Sequence, residues 1–104
     1  METTAILGGL REIPNAKSDP EIHSLAVFAV DQYNSQKGLR LRLLEVVSAE
    51  QQVVAGTMYY LVIKVSPKRH HSEYYKAKIL VQEWKNFKSL ESFEKITKPA
   101  DPKN

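Results

Sequence analysis

Side chains able to do chemistry are sparse in this 104-residue chain. It has no cysteine, which removes disulfides, thiolate metal ligands and a thiol nucleophile together. The histidines are His23, His70 and His71. The last two are adjacent in a polar stretch, where neighbouring side chains diverge, and no third ligand stands at metal-binding spacing. The serines sit in no nucleophile-elbow pattern. Gly8-Gly9 fits neither the dinucleotide-binding nor the phosphate-loop spacing. The carboxylates are scattered among lysines, as on a solvated surface. These absences argue against an enzyme, a cofactor and a metal.

Three features have a shape that suggests contact instead. Ile6-Leu7 precede Gly8-Gly9, an apolar pair on what reads as a mobile arm, since two glycines in a row resist helix and strand. Gln52-Val53-Val54-Ala55-Gly56 reads as a hairpin tip with apolar residues where turns favour Asn, Asp or Ser. Trp84, the sole tryptophan, falls in what reads as the next hairpin turn on the same side; tryptophan at such an edge is a typical interface anchor. Each has a plainer explanation: a frayed terminus, a valine turned into the core, an indole folded under its own turn. Together they read as one apolar wedge.

The elements that would hold such a wedge follow from periodicity. Ser18-Asp19-Pro20-Glu21 has a capping-box pattern with proline in the first turn. Ile22, Leu25, Ala26, Ala29 and Tyr33 recur at helical spacing, and Val27, Phe28 and Val30 broaden that face. Lys37-Gly38 is a stop, so the helix is expected over Pro20–Lys37. A short strand is expected over Leu10–Pro14. After Gly38, Leu39, Leu41 and Leu43 alternate with Arg40 and Arg42; the apolar phase then jumps to Leu44 and Val46. A jump inside a strand that continues to Val54 predicts a bulge or bend. Further strands are expected over Thr57–Val65, around Tyr75–Gln82 with Tyr75, Ala77, Ile79 and Val81 on the buried face, and over Lys88–Ile96. The fold class is therefore α+β: a four- to five-stranded antiparallel sheet wrapped around one long helix. Residues 1–9 read as arm, 10–96 as one domain, and 97–104, with two prolines, as a frayed tail.

Net charge is +3 with a pI of about 9.2. That is mildly basic and, with the lysines dispersed and Tyr59, Tyr60, Tyr74 and Tyr75 read at core spacing, it does not make a nucleic-acid signature. No apolar run approaches the roughly 20 residues that span a bilayer, so no membrane partner is expected. Met1-Glu2-Thr3-Thr4 lacks the features of a secretion signal; cytoplasmic and secreted locations both stay open.

At these residues the chain resembles the cystatins, and most of all their plant branch. Gln52–Gly56 is similar to the family's Gln-x-Val-x-Gly first loop, with Val54 as its valine. Gly8-Gly9 matches the N-terminal glycine site. Leu25-Ala26-Val27-Phe28-Ala29-Val30-Asp31-Gln32-Tyr33-Asn34 is similar to the plant helix signature Leu-Ala-Arg-Phe-Ala-Val…Asn, and Trp84 matches the second-loop tryptophan. The chain departs at Val27, where a basic residue is usual, and at Glu83, where proline usually precedes the tryptophan. The resemblance implies a reversible, competitive, tight-binding inhibitor of papain-like cysteine proteases, endogenous or of a pest or pathogen. It implies that Ile6 and Leu7 fill the non-primed pockets, that Gly8 and Gly9 turn the backbone past the catalytic cysteine, and that Gln52, Val53, Val54, Ala55, Gly56 and Trp84 lie on the primed side. A rival expectation is an interaction module of the same fold with no protease target. The active form is expected to be a monomer; a strained Ala55-Gly56 turn that opened would let two molecules exchange halves.

Overall fold

The computed structural model describes residues 9–100. Helix α1 spans Pro20–Lys37, and the strands are β1 (Leu10–Glu12), β2 (Arg42–Val54), β3 (Gly56–Ser66), β4 (Glu73–Gln82) and β5 (Phe87–Ile96). They form one sheet in the order β1-β2-β3-β4-β5, every pair antiparallel.

Helix α1 has the expected span, but its cap lies one residue later than the capping box suggested. Asp19, not Ser18, is the cap: its carboxylate accepts from the amides of Glu21 (2.9 Å) and Ile22 (3.4 Å), satisfying two donors that the first turn leaves unpaired. Ser18 instead ends a 3₁₀ turn over Ala16–Ser18 and donates to the Asn15 carbonyl. The helix stops at Gly38 in the left-handed region, φ 66°. Asn34 then pins the chain that follows. Its side-chain amide donates to the Leu41 carbonyl and its oxygen accepts from the Leu41 amide, both at 3.0 Å. Those bonds hold 39–41 outside the ladder, so β2 starts at Arg42 rather than at Leu39.

Ile22, Leu25, Ala26, Ala29 and Val30 of α1 are buried against Val46 and Ala49 of β2, Leu61, Ile63 and Val65 of β3, and Tyr75, Ala77 and Ile79 of β4. Ala26 and Ala29 are fully buried; their small side chains let the sheet approach the helix closely. Val27 is exposed, so it does not broaden the buried face as expected. Tyr33, Tyr75 and Phe93 close one end of the core, with ring centroids 4.2–5.7 Å apart. Burial, and then the adjacent Glu73 carboxylate that accepts the Tyr75 hydroxyl at 3.2 Å, push the Tyr75 pKa up to about 12.

The sheet bends where its register slips. Within β2 the pairing with β3 shifts between Leu43 and Glu45 and again between Val46 and Ser48. The first shift lies where the apolar phase jumps in the sequence, and each extra residue adds local twist. The alternation of β3 and β4 divides the tyrosines. Tyr59 and Tyr75 share the parity of the buried Leu61, Ile63, Ala77 and Ile79, whereas Tyr60 and Tyr74 share the opposite parity with Lys64, Lys76 and Lys78. The expectation that all four tyrosines lie at core spacing is thus corrected for Tyr60 and Tyr74. Strand β1 ends at Glu12, short of Pro14; Ile13 still donates to the Ala49 carbonyl, and Pro14 has no amide with which to continue.

Candidate functional site

The hairpin between β2 and β3 turns on Ala55, with Val54 paired to Gly56. Gly56 has φ +110°, a region that L side chains avoid. A Cβ built there would lie 2.5 Å from the Val81 carbonyl oxygen and 2.8 Å from Gln82 Cγ. Only glycine fits, because the tip of the first hairpin is pressed onto the end of β4. Gln82 secures that contact: its Nε2 donates to the Ala55 carbonyl at 2.8 Å. Gln52 braces the stem, accepting from the Tyr60 hydroxyl at 2.8 Å.

One residue past Gln82 the chain enters the second turn, a 3₁₀ segment over Glu83–Lys85 that carries Trp84 and closes with Asn86 in the left-handed region, φ 51°. The amide of Asn86 donates to the Glu83 carbonyl at 3.0 Å. The Gln82–Ala55 bond therefore ties the two hairpins side by side. On the other flank β1 pairs with β2, Leu10 opposite Gln52; one further step of that register sets Gly9 opposite Val53. Arm root, first tip and second turn thus lie in that order along one edge of the sheet.

This edge is apolar and open to solvent. Val53 is 54% exposed, Val54 41% and Trp84 67%. Neither valine turns into the core and the indole is not folded under its turn. Leu10 and Phe87, also exposed, extend the same edge. Behind the second turn a groove of about 420 Å³ runs between α1 and β5, lined by Glu21, Glu83, Phe87 and Lys88 among others. The Tyr59 pKa is raised, first by burial and then by the charges of Glu21, Glu83 and Asp19. Ile6, Leu7 and Gly8 lie outside the described residues. The sequence did not single out Gln82 or Tyr60; a glutamine at a strand end and an outward tyrosine carry no local signal, and their roles exist only once β3 is paired on both sides.

A helix held in a bent antiparallel sheet, with two hairpin tips aligned at one edge, defines a cystatin-type protein. Two comparisons bear on the fold. The salivary cystatin of the soft tick Ornithodoros moubata superposes with a TM-score of 0.76 at 23% identity, over 86% of this chain and 97% of the tick protein. The structure of Al-CPI superposes with a TM-score of 0.69 at 22% identity. In sequence, the chain is 38% identical over 93 residues to cysteine proteinase inhibitor 3 of Arabidopsis thaliana, covering 89% of this chain and 74% of that protein. It is 37% identical over 95 residues to cystatin-1 of Zea mays, covering 91% and 70%. Against cysteine proteinase inhibitor 6 of Arabidopsis thaliana it is 38% identical but spans only 39% of that protein's length. A family model described as aspartic acid proteinase inhibitor matches residues 15–96. The chain belongs to the cystatin family, in its plant, phytocystatin-type branch. The family consists of proteinase inhibitors, not enzymes, in agreement with the reading of the sequence.

Proposed function

We propose that this protein is a reversible, competitive, tight-binding inhibitor of papain-like cysteine proteases. One observation carries the reading: the Gln82–Ala55 bond fastens two solvent-exposed apolar tips to one edge. An edge held in shape before contact loses little conformational entropy on docking, and preorganisation of this kind strengthens affinity without added area. Val53, Val54 and Ala55 of the first hairpin and Trp84 of the second would enter the primed side of the cleft. The arm, with Ile6 and Leu7 ahead of Gly8 and Gly9, would occupy the non-primed side. No bond is made or broken; the cleft is filled. Burial of each aliphatic anchor contributes about 1.5–3 kcal/mol, and three anchor regions on a rigid frame suffice for nanomolar binding over a standard interface of about 800 Å² per partner. The active species is the monomer, and the target is an endogenous protease or one met in defence.

The description of the matching family model favours a second reading, inhibition of an aspartic proteinase. Titration of papain and of pepsin with the same preparation separates the two. Stoichiometric loss of papain activity with pepsin untouched is the expected result; inhibition of pepsin alone would overturn the cysteine-protease reading, and inhibition of neither would favour a cystatin-fold interaction module. In the papain assay Trp84→Ala is expected to weaken inhibition by about 2 kcal/mol, roughly thirtyfold. Val54→Asp, which would bury a charge in a dry contact, is expected to cost more. Both side chains are exposed, so the melting temperature should hardly move. Undiminished inhibition by both variants would remove the edge from the mechanism.

A further inference from the structure

The end of the sheet opposite the two hairpin tips carries a feature that cleft-plugging leaves unused. Strand β3 runs from Gly56 at the tip to Ser66 at the far end; ten residue steps of about 3.3 Å separate the two by roughly 33 Å. At the far end an open cleft of about 370 Å³ is lined by Arg42, Lys64, Arg69, His70 and His71, with Ser66, Ser72 and Leu44. No carboxylate lines it. Arg42 and Arg69 have no ion-pair partner among the described residues. The acidic residues nearest by strand register are Glu45, opposite Lys64, and Glu73, opposite Val65. Neither lines the cleft, and Glu73 is occupied by Lys95 at 3.2 Å and by the Tyr75 hydroxyl.

The loop that presents Arg69 is built rather than loose. The buried Ser66 hydroxyl donates to the Lys68 carbonyl at 2.7 Å, and the His71 amide donates to the same carbonyl at 3.1 Å. The His71 ring Nδ1 lies 3.1 Å from the Arg69 carbonyl, and His70 takes a left-handed conformation, φ 64°. Like charges gathered on a fixed frame repel one another and lower stability, and an anion seated between Arg42 and Arg69 lessens that cost. Guanidinium forks match the paired oxygens of tetrahedral oxyanions. No phenylalanine, tyrosine or tryptophan lines the cleft; its rings are the imidazoles of His70 and His71.

We infer that this cleft is a second binding site, for phosphate or sulfate groups, distinct from the hairpin edge and able to be filled while that edge is engaged.

Isothermal calorimetry at low ionic strength with two probes, a heparin-type sulfated hexasaccharide and inorganic tripolyphosphate, tests this. At least one probe is expected to bind; binding by the first only assigns sulfated glycan, by the second only phosphate. The Arg42→Gln/Arg69→Gln double variant should bind about tenfold or more weakly. Lys76→Gln/Lys78→Gln, altered on the same sheet but outside the cleft, should bind like the parent. Amide chemical-shift changes in the parent protein, which need no variant to fold, should centre on 66–72. Binding by neither probe, equal binding by the arginine double variant, or shift changes centred on the hairpin edge would each overturn the inference.

Discussion

At Gly56 the backbone conformation and the space around it impose the same choice. The φ of +110° disfavours any side chain, and a methyl group would collide with backbone, the Val81 carbonyl oxygen, rather than with a flexible side-chain end. Gly56→Ala must therefore lift the first hairpin off β4 or deform it. Lifting it lengthens the 2.8 Å bond from Gln82 to the Ala55 carbonyl, and the two tips lose their fixed spacing. A stability loss of about 1–3 kcal/mol is expected from the strained conformation, together with a papain inhibition constant raised about tenfold or more as preorganisation is lost. A thermal melt and an inhibition titration measure both. A variant that melts and inhibits like the parent would show that the Gln82 clamp does not shape the edge. Gln82 itself has no side chain in the apolar wedge; it is a positioning residue for both loops.

Among the elements, α1 is a scaffold whose apolar face holds the bent sheet while its ends fix the chain on either side. Its N-terminal cap can be removed without touching the hairpin edge. Asp19→Ala leaves the amides of Glu21 and Ile22 without their acceptor, which costs about 1 kcal/mol and lowers the melting temperature by roughly 4–8 °C in a domain of this size. Papain inhibition at 25 °C should stay unchanged. An unaltered melting temperature would mean that water replaces the cap without loss, and weakened inhibition would mean that the helix start reaches the target. The helix span and most strands were legible in the sequence because they rest on local signals: Gly38 as a stop, the 3.6 period of Ile22, Leu25, Ala26 and Ala29, and the period of two in Tyr75, Ala77 and Ile79. The bend in β2 was legible too, as the jump from Leu43 to Leu44. The start of β2 was not, since it is set by Asn34 reaching seven residues forward to Leu41. Val27 was misread because a valine on a helix gives the same local signal whichever way it faces, and the Ser18 cap because two capping residues stand side by side. Val54 and Trp84 could be singled out as apolar residues in turns. Their alignment could not, because it depends on Gln82, a residue of unremarkable type whose partner lies 27 positions away.

At the scale of the whole molecule, the sheet carries apolar tips at one end and, at the other, Arg42 and Arg69, which have no ion-pair partner among the described residues. Only the single residue Ala55 separates β2 from β3, and the glycine after it holds a conformation that relaxes if the chain runs straight through. Straightening Val54–Thr57 would join β2 and β3 into one long strand. The half containing β1, α1 and β2 would then pack on the β3–β5 half of a second copy, rebuilding the same buried core and the same ladder, so the exchange changes few contacts and needs mainly transient unfolding. What it cannot rebuild is the first tip. Val53 and Val54 would lie within a continuous strand, and the Ala55 carbonyl would no longer turn back to meet Gln82. Incubation just below the melting temperature at high protein concentration is therefore expected to yield a dimer on size-exclusion chromatography, one that no longer inhibits papain. Its far-UV circular dichroism should match the monomer's, since the same strands and helix are present. Recovery of monomer alone would indicate that the turn stores too little strain to favour the exchange. A dimer that inhibits fully would mean that the first hairpin survives, and that association uses another surface.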